Sequence, residues 1–336
     1  MKILHVNNKI SCIRSFKETM PMIARGHEVE VVARSHTFGF NIYTRVYTWG
    51  DLKQLARTIE TSQADVIHVH SEPDWLVSFA KEHAGTRPVV YDCHDPESMR
   101  TWSAPGKDEI EAFKAADAII HVSEPCRVHC ESYHGKGKPT ITLYSFVNGN
   151  FYNQSRDVNW SSICYEGGLT TEVSEGKFAH FRNLTYVVQK FVEAGFNVSL
   201  FAAGSAEIDL TYESIGALMV RDLPYTTMLT GIRNHAFGFV GSPAVTKLMN
   251  AAMPNKLFEY ISQGVVPVCW NADTAGEFVQ RNGVGIWLKP ENDLGNLRDE
   301  LLSRGPAMRR NLLRIRDRWK METQAEPLEK FYQSLL

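Results

Sequence analysis

The segment Pro254-Asn255-Lys256-Leu257-Phe258-Glu259-Tyr260 carries the residue types needed to hold an anion. Pro254 suits the start of a helix, where its missing N–H costs nothing, and Gly264 suits the end. Lys256 then lies in the first turn, at the positive end of the helix dipole, where an isolated cation is disfavoured. The placement becomes favourable if a diphosphate docks on the free N–H groups and the lysine together. Glu259 follows one turn later on the same face and is placed to accept from the sugar hydroxyls of a nucleoside. Read only as an amphipathic helix, the same residues would make a solvated Lys–Glu pair.

Asp92-Cys93-His94-Asp95-Pro96 follows an apolar run, and a polar cluster just past a buried strand is where open α/β sheets meet ligands. His94 is the candidate there; otherwise the two aspartates cap a helix and His94 fills a turn. Cys126, His129 and Cys130 resemble metal ligands, but one helical turn supplies at most three and no matching cluster accompanies them. Ser123 and Ser242 lack the glycine-flanked elbow of a nucleophilic serine. Arg298–Lys320 is rich in Lys and Arg, which fits a solvated helix face or a patch for an anionic acceptor, lipid headgroup or nucleic acid.

Elements that would position these residues alternate regularly. Lys2–Val6, Glu28–Ala33, Val66–His70, Pro88–Tyr91, Ala118–Val122 and Pro139–Leu143 read as buried strands. Helical patterns lie between them, at Cys12–Arg25, Asp51–Thr61, Trp75–His83, Lys107–Ala116 and Glu124–Tyr133. Such alternation predicts a parallel sheet covered on both faces. A turn-rich polar stretch, Ser145–Asn159, interrupts it, and the pattern then resumes from Trp160 to Asn282. The tail Glu291–Leu336 reads as helix, broken around Gly305-Pro306 and again before Pro327. The expected fold is α/β, with two doubly wound Rossmann-like halves facing across a cleft.

Composition narrows the classes further. The chain has 336 residues, 43% apolar and 11% aromatic, enough for about two domains and too apolar for disorder. Its net charge of -2 lacks the basic excess usual on nucleic acid. No apolar run approaches the ~18 residues of a membrane helix, and Met1–Val6 reads as a strand and not as a signal peptide. Six scattered cysteines without a CxxC pair predict reduced thiols and a cytoplasmic protein.

The donor-like segment, taken with motifs elsewhere, resembles the GT-B glycosyltransferases, in particular the retaining group called family 4. Gly26-His27-Glu28-Val29 resembles the family's turn into its second strand, and Asp65-Val66-Ile67-His68-Val69-His70 a later strand. Ala116–Ser123 resembles the strand before a helix, Glu166-Gly167-Gly168-Leu169 the opening of the second domain, and Asp317-Arg318-Trp319 the final crossing helix. The order and spacing are those of the family along almost the whole chain. The implied domains are 1–150 on the acceptor side, 151–315 on the nucleotide-sugar side, and a helix over 316–336 returning to the first.

The resemblance implies transfer of a sugar from a UDP- or GDP-linked donor to an acceptor hydroxyl, with retention and without a metal or cofactor. Glu259 would hold the ribose and Lys256 the diphosphate, beside Asn255, Leu257 and Phe258. His94 would face the transferred sugar. Gly167 and Gly168 would admit the phosphates, with Arg182 a second cation, or Lys177 in its place. The acceptor would be a glycan, a lipid-linked sugar or a small molecule, with hydroxymethylated DNA bases the alternative. A nucleotide-sugar epimerase or an inactive nucleotide-sugar-binding protein is a further alternative.

Three departures from the family stand out. The glutamate expected eight positions before Glu259 is Ala251. The basic residues expected after the glycine pair are not in their usual places, within a polar segment, Thr170–Arg182, that suits a mobile flap. Asn7-Asn8-Lys9 replaces a glycine pair on the acceptor side, where asparagine would supply positive φ.

Overall fold

Valine- and isoleucine-rich runs become strands because their branched side chains fill both faces of a covered parallel sheet. The computed structural model describes residues 1–8, 12–35, 39–71, 73–101, 103–154, 157–171, 182–202, 205–243, 246–289 and 297–336. Lys9 and Lys177, with most of the predicted flap, lie outside the described residues.

The chain divides into two units, the first comprising Met1–Asn148 and Met321–Leu336, the second Gly149–Lys320. The first holds β1 (Lys2–Val6), β2 (Glu28–Ala33), β3 (Arg45–Thr48), β4 (Val66–His70), β5 (Val89–Cys93), β6 (Ala118–His121) and β7 (Thr140–Thr142). Their order across the sheet is β3-β2-β1-β4-β5-β6-β7, and every pairing is parallel. The second unit holds β8 (Asn159–Glu166), β9 (Asn197–Ala202), β10 (Leu218–Arg221), β11 (His235–Gly241), β12 (Val266–Trp270) and β13 (Ile286–Leu288), ordered β10-β9-β8-β11-β12-β13. Both sheets are doubly wound, with the order reversing beside the first strand, β1 in one and β8 in the other. That reversal leaves a crevice at the carboxyl ends.

Each unit has its own apolar core. Leu4, Ile67, Val69, Tyr91 and Phe113 belong to the first, and Ile163, Leu200, Phe237, Phe239 and Val268 to the second. The strand β3, Arg-Val-Tyr-Thr, is absent from the sequence reading because an edge strand this short and polar has no apolar run to announce it.

The tail corrects one expectation. Arg298–Ile315 is a single helix running through Gly305-Pro306, and Pro327 lies inside the helix Glu322–Gln333; the interruption falls between them, where Arg316–Trp319 forms a 3-10 turn. A proline inside a helix costs about 3 kcal/mol. Packing opposes that cost, because a Cβ at Gly305 would lie 2.8 Å from the rings of both Phe237 and Trp160. Gly305 is therefore where the helix comes closest to the sheet.

The last helix is held to the rest of the first unit by polar contacts. Gln324 bonds both backbone groups of Tyr144, at 2.8 and 2.6 Å. Glu329 accepts from Arg25 at 2.7 Å and contacts His27 at 2.9 Å. Tyr332 meets His68 Nδ1 at 2.7 Å.

Candidate functional site

In the second unit β8 runs out of the sheet into Gly167, whose φ of +129° lies in territory that only glycine occupies comfortably. A Cβ there would stand 3.2 Å from Lys256 Nζ and 3.3 Å from the Tyr165 hydroxyl. A Cβ on Gly168 would stand 3.1 Å from Arg182 Nη1. Two cations from distant parts of the chain thus lie directly against one glycine pair. Lys256 also sits 4.7 Å from the centre of the Tyr165 ring, a cation–π contact. Burial alone would lower its pKa, but Tyr165, Glu166 and Glu259 outweigh it and raise the pKa, so the ammonium stays charged.

The helix Asn255–Gln263 begins at Pro254, whose backbone is extended, and no side chain caps it. Asn255 is exposed at its first position. Leu257 and Phe258 point the other way: both are fully buried, and the Phe258 ring lies 5.8 Å from Phe278. Their side chains hold the helix in the core and do not line a ligand surface, because the apolar face of an amphipathic helix turns inward. Glu259 is 2% exposed. Burial and the nearby Glu259 charge push the Tyr225 hydroxyl well above its ordinary value, so carboxylate and phenol face each other. Ala251 is buried at the end of the short helix Lys247–Ala251, and its methyl offers nothing to a sugar hydroxyl.

The first unit has a different equipment. A cavity of about 520 Å³ opens at the carboxyl ends of β1, β4 and β5, lined in part by Asn7, Asn8, Cys12, His70, Ser71 and His94. The His94 backbone N–H donates to Ser71 Oγ at 3.3 Å. Its Nδ1 is 3.7 Å from Asp92 Oδ1. Asn7 and Asn8 are not among the positive-φ residues, which corrects the expectation for that loop. Asn7 instead extends β1, its N–H donating to the Val32 carbonyl at 2.9 Å and its side chain to Ser15 at 3.0 Å.

Behind the cavity lies a buried polar cluster that the sequence reading did not single out. His68 and His70 alternate on β4 and so share a face, with ring centres 4.3 Å apart. Register places His5 of β1 beside His68, and Asp92 of β5 beside His70. His5 Nδ1 and His70 Nε2 are 2.7 Å apart. Arg14 donates to Asp92 at 2.6 Å and lies 3.2 Å from Glu18. Burial opposes ionisation of Asp92, but Arg14, with the nearby imidazoles of His68, His94 and His70, holds its pKa well below the usual range. Burial and the Asp92 charge push Glu18 well above its own, against the pull of Arg14. Burial lowers His5, His68 and His70, leaving them neutral. The signal was available: three imidazoles inside otherwise apolar runs.

Residues 21–149 match the family model Glycosyltransferase Family 4. Among solved structures, HepE of Anabaena in complex with UDP-glucose superposes with a TM-score of 0.75 at 14% identity, covering 99% of this chain and 100% of that one. The chain has the GT-B fold, and its first unit carries the match to the glycosyltransferase family model. Sucrose-phosphate synthase of Thermosynechococcus elongatus matches at a TM-score of 0.72 and 11% identity, over 100% of this chain and 99% of that. An alpha-glucosyltransferase in complex with UDP and a DNA containing an HMU base matches at 0.71 and 14%, over 99% of both chains. No curated protein sequence matches this chain.

Other charged groups of the chain have structural partners. In the basic tail, Arg309 donates to the Gly264 carbonyl at 3.0 Å, and Arg316 to the carbonyls of Asn153 and Ser262 at 2.6 and 2.7 Å. Among the described residues, no helix is long and apolar enough to cross a membrane. The trio Cys126, His129 and Cys130 does not converge: His129 contacts Ser98 at 2.9 Å, while Cys130 groups with Cys93 and His121. Cys93 and His121 are register neighbours on β5 and β6, a proximity set by strand pairing and invisible to helical spacing. By donor type, that group and the one formed by His5, Glu18, His68 and His70 have the ligands for a cation.

Proposed function

We propose that this glycosyltransferase moves a sugar from a nucleoside-diphosphate donor, UDP- or GDP-linked, to an acceptor hydroxyl, with retention of anomeric configuration. The observation that carries the reading is the convergence of Lys256 and Arg182 on Gly167-Gly168. The glycine pair lets phosphate oxygens approach the backbone. The two cations and the uncapped helix start at Asn255 take up the charge that develops as the C1–O bond to the diphosphate breaks. Glu259 accepts from the ribose hydroxyls. The acceptor enters the His94 cavity of the first unit; its oxygen bonds to C1 and its proton passes to the departing diphosphate. We assign no divalent metal to the reaction, because the side chains at the glycine turn already supply two positive charges. We further place the protein in the cytoplasm, where its six cysteines, none bonded to another, stay reduced.

A thermal-shift panel of UDP, GDP, dTDP, CDP and ADP, each with and without EDTA, tests the donor site. One nucleotide raising the melting temperature regardless of EDTA, with the shift lost in Lys256→Ala and Glu259→Ala, supports it. No shift with any nucleotide overturns it and favours a degenerate binding protein. Anomer analysis of the product by NMR tests retention. The DNA-base alternative draws on the fold shared with the alpha-glucosyltransferase, and glycosylation of a hydroxymethylated duplex would establish it. Against it, arginines of the basic tail are engaged with the protein's own carbonyls.

A further inference from the structure

Asn7, Asp74, Glu97 and Asp108 bring acceptor oxygens to the wall of the first unit's cavity. Asn7 is 1% exposed; its amide nitrogen is bonded to Ser15, and its Oδ1 has no hydrogen-bond partner among the described residues. Asp74 is 7% exposed and accepts one bond, from the Tyr91 hydroxyl at 2.7 Å. Burial raises its pKa to about 6, so it is ionised at neutral pH. Glu97 and Asp108 add two more carboxylates, from the starts of the helices Glu97–Thr101 and Lys107–Ala115, against one lining arginine among the described residues, Arg100. An ionised carboxylate only accepts hydrogen bonds, as does an amide oxygen. The complement of such a wall is a ligand that donates.

We propose that this cavity takes a hydroxyl-rich acceptor that carries an ammonium group and no phosphate, the chemistry of an amino sugar. An ammonium brings three donors and one positive charge to a wall with surplus carboxylates, and its bonds there are charge-assisted. A phosphate would lose its hydration beside Asp74, Glu97 and Asp108 with one guanidinium to offset them. The same argument turns away a nucleic-acid backbone and a phosphate-linked lipid. This inference rests on the acceptor assignment above and sharpens it from any hydroxyl to one class.

The test is an NMR titration of the full chain with D-glucosamine, N-acetyl-D-glucosamine, D-glucose and D-glucose 6-phosphate at neutral pH and low salt. Glucosamine should bind roughly tenfold more tightly than glucose 6-phosphate, the scale of one charge-assisted contact, with the two neutral sugars between them. Asp108→Asn, at an exposed position that does not threaten folding, should narrow that gap. Equal or tighter binding of glucose 6-phosphate overturns the inference, as does displacement of glucosamine by a duplex oligonucleotide, or no binding of any of the four. Nucleotide thermal shifts on the same sample separate the two readings. Glucosamine bound without any nucleotide shift sinks the transfer reading alone, whereas a nucleotide shift without preference for the amine sinks only this one.

Discussion

The two sheets have the same winding and opposite chemistry at their carboxyl ends. After β1, β4 and β5 stand asparagines, imidazoles and carboxylates; after β8 stand two glycines with Lys256 and Arg182 against them. A doubly wound sheet places a crevice at the strand order reversal and says nothing about the sign of the charge it will hold. That sign comes from a handful of side chains. In the second unit glycine removes bulk, which under the proposed donor reading lets backbone and cations reach an anion. In the first, side-chain acceptors and an arginine–aspartate pair fill the corresponding place.

The sharpest way to break the comparison is Lys256→Ala. If Lys256 faces the leaving diphosphate as proposed, its loss should cut kcat/KM by about 10²–10³-fold, the scale for removing one preorganised stabilising group. Steady-state rates with the best UDP- or GDP-sugar measure this, and a change under tenfold would remove Lys256 from the donor site.

Acid should distinguish the units next. His5, His68, His70 and His121 have lowered pKa values in the first unit, so their contribution is present above the ordinary value of 6.5 and is lost as pH falls below it. Glu18 and Asp74 are raised and act oppositely, gaining stability as pH falls toward their unfolded values. Four imidazoles against two carboxyls leave a net loss, while in the second unit only His235 among the described histidines is lowered. The first unit should therefore lose more stability than the second as pH falls from 6.5 toward 5. Hydrogen exchange by mass spectrometry, corrected for intrinsic rates, reads β4 and β5 separately from β9 and β11. A first unit that holds steady or strengthens would contradict the protonation states assigned here.

Gly167→Ala combines a positive φ with a Cβ 3.2 Å from Lys256 Nζ. We expect a stability loss of about 1–3 kcal/mol together with a weaker nucleotide shift in calorimetry. An unchanged nucleotide shift would mean that the glycine serves the turn alone. The smallest effect belongs to Arg310, exposed on the tail helix. Arg310→Ala should alter stability by no more than about 0.5 kcal/mol and leave transfer unchanged; a large drop in rate would revive an anionic acceptor on that face.

The helix Asn255–Gln263 was legible in full, with Pro254 before it and Gly264 after it, because capping residues and apolar period are local signals. Leu257 and Phe258 were legible as helix but misassigned to the donor surface, since spacing alone does not say which face turns inward. The helix over Gly305-Pro306 was misread for the opposite reason: local propensity argued for a break, and contact with Trp160 and Phe237 overrode it.

By itself the sequence determined the alternation of strands and helices, and with it the two doubly wound sheets, because hydrophobic period and turn residues act within a few positions of themselves. It also determined the identity of Lys256, Glu259 and the glycine pair. Only the tertiary structure decided that Arg182 and Lys256 meet at that pair, and that His5, His68, His70 and Asp92 form one buried cluster behind His94. The cluster depends on the register of parallel strands whose residues lie tens of positions apart, and the two cations on how the segments that carry them pack beside the glycine pair; both are properties of packed neighbours rather than of any single run.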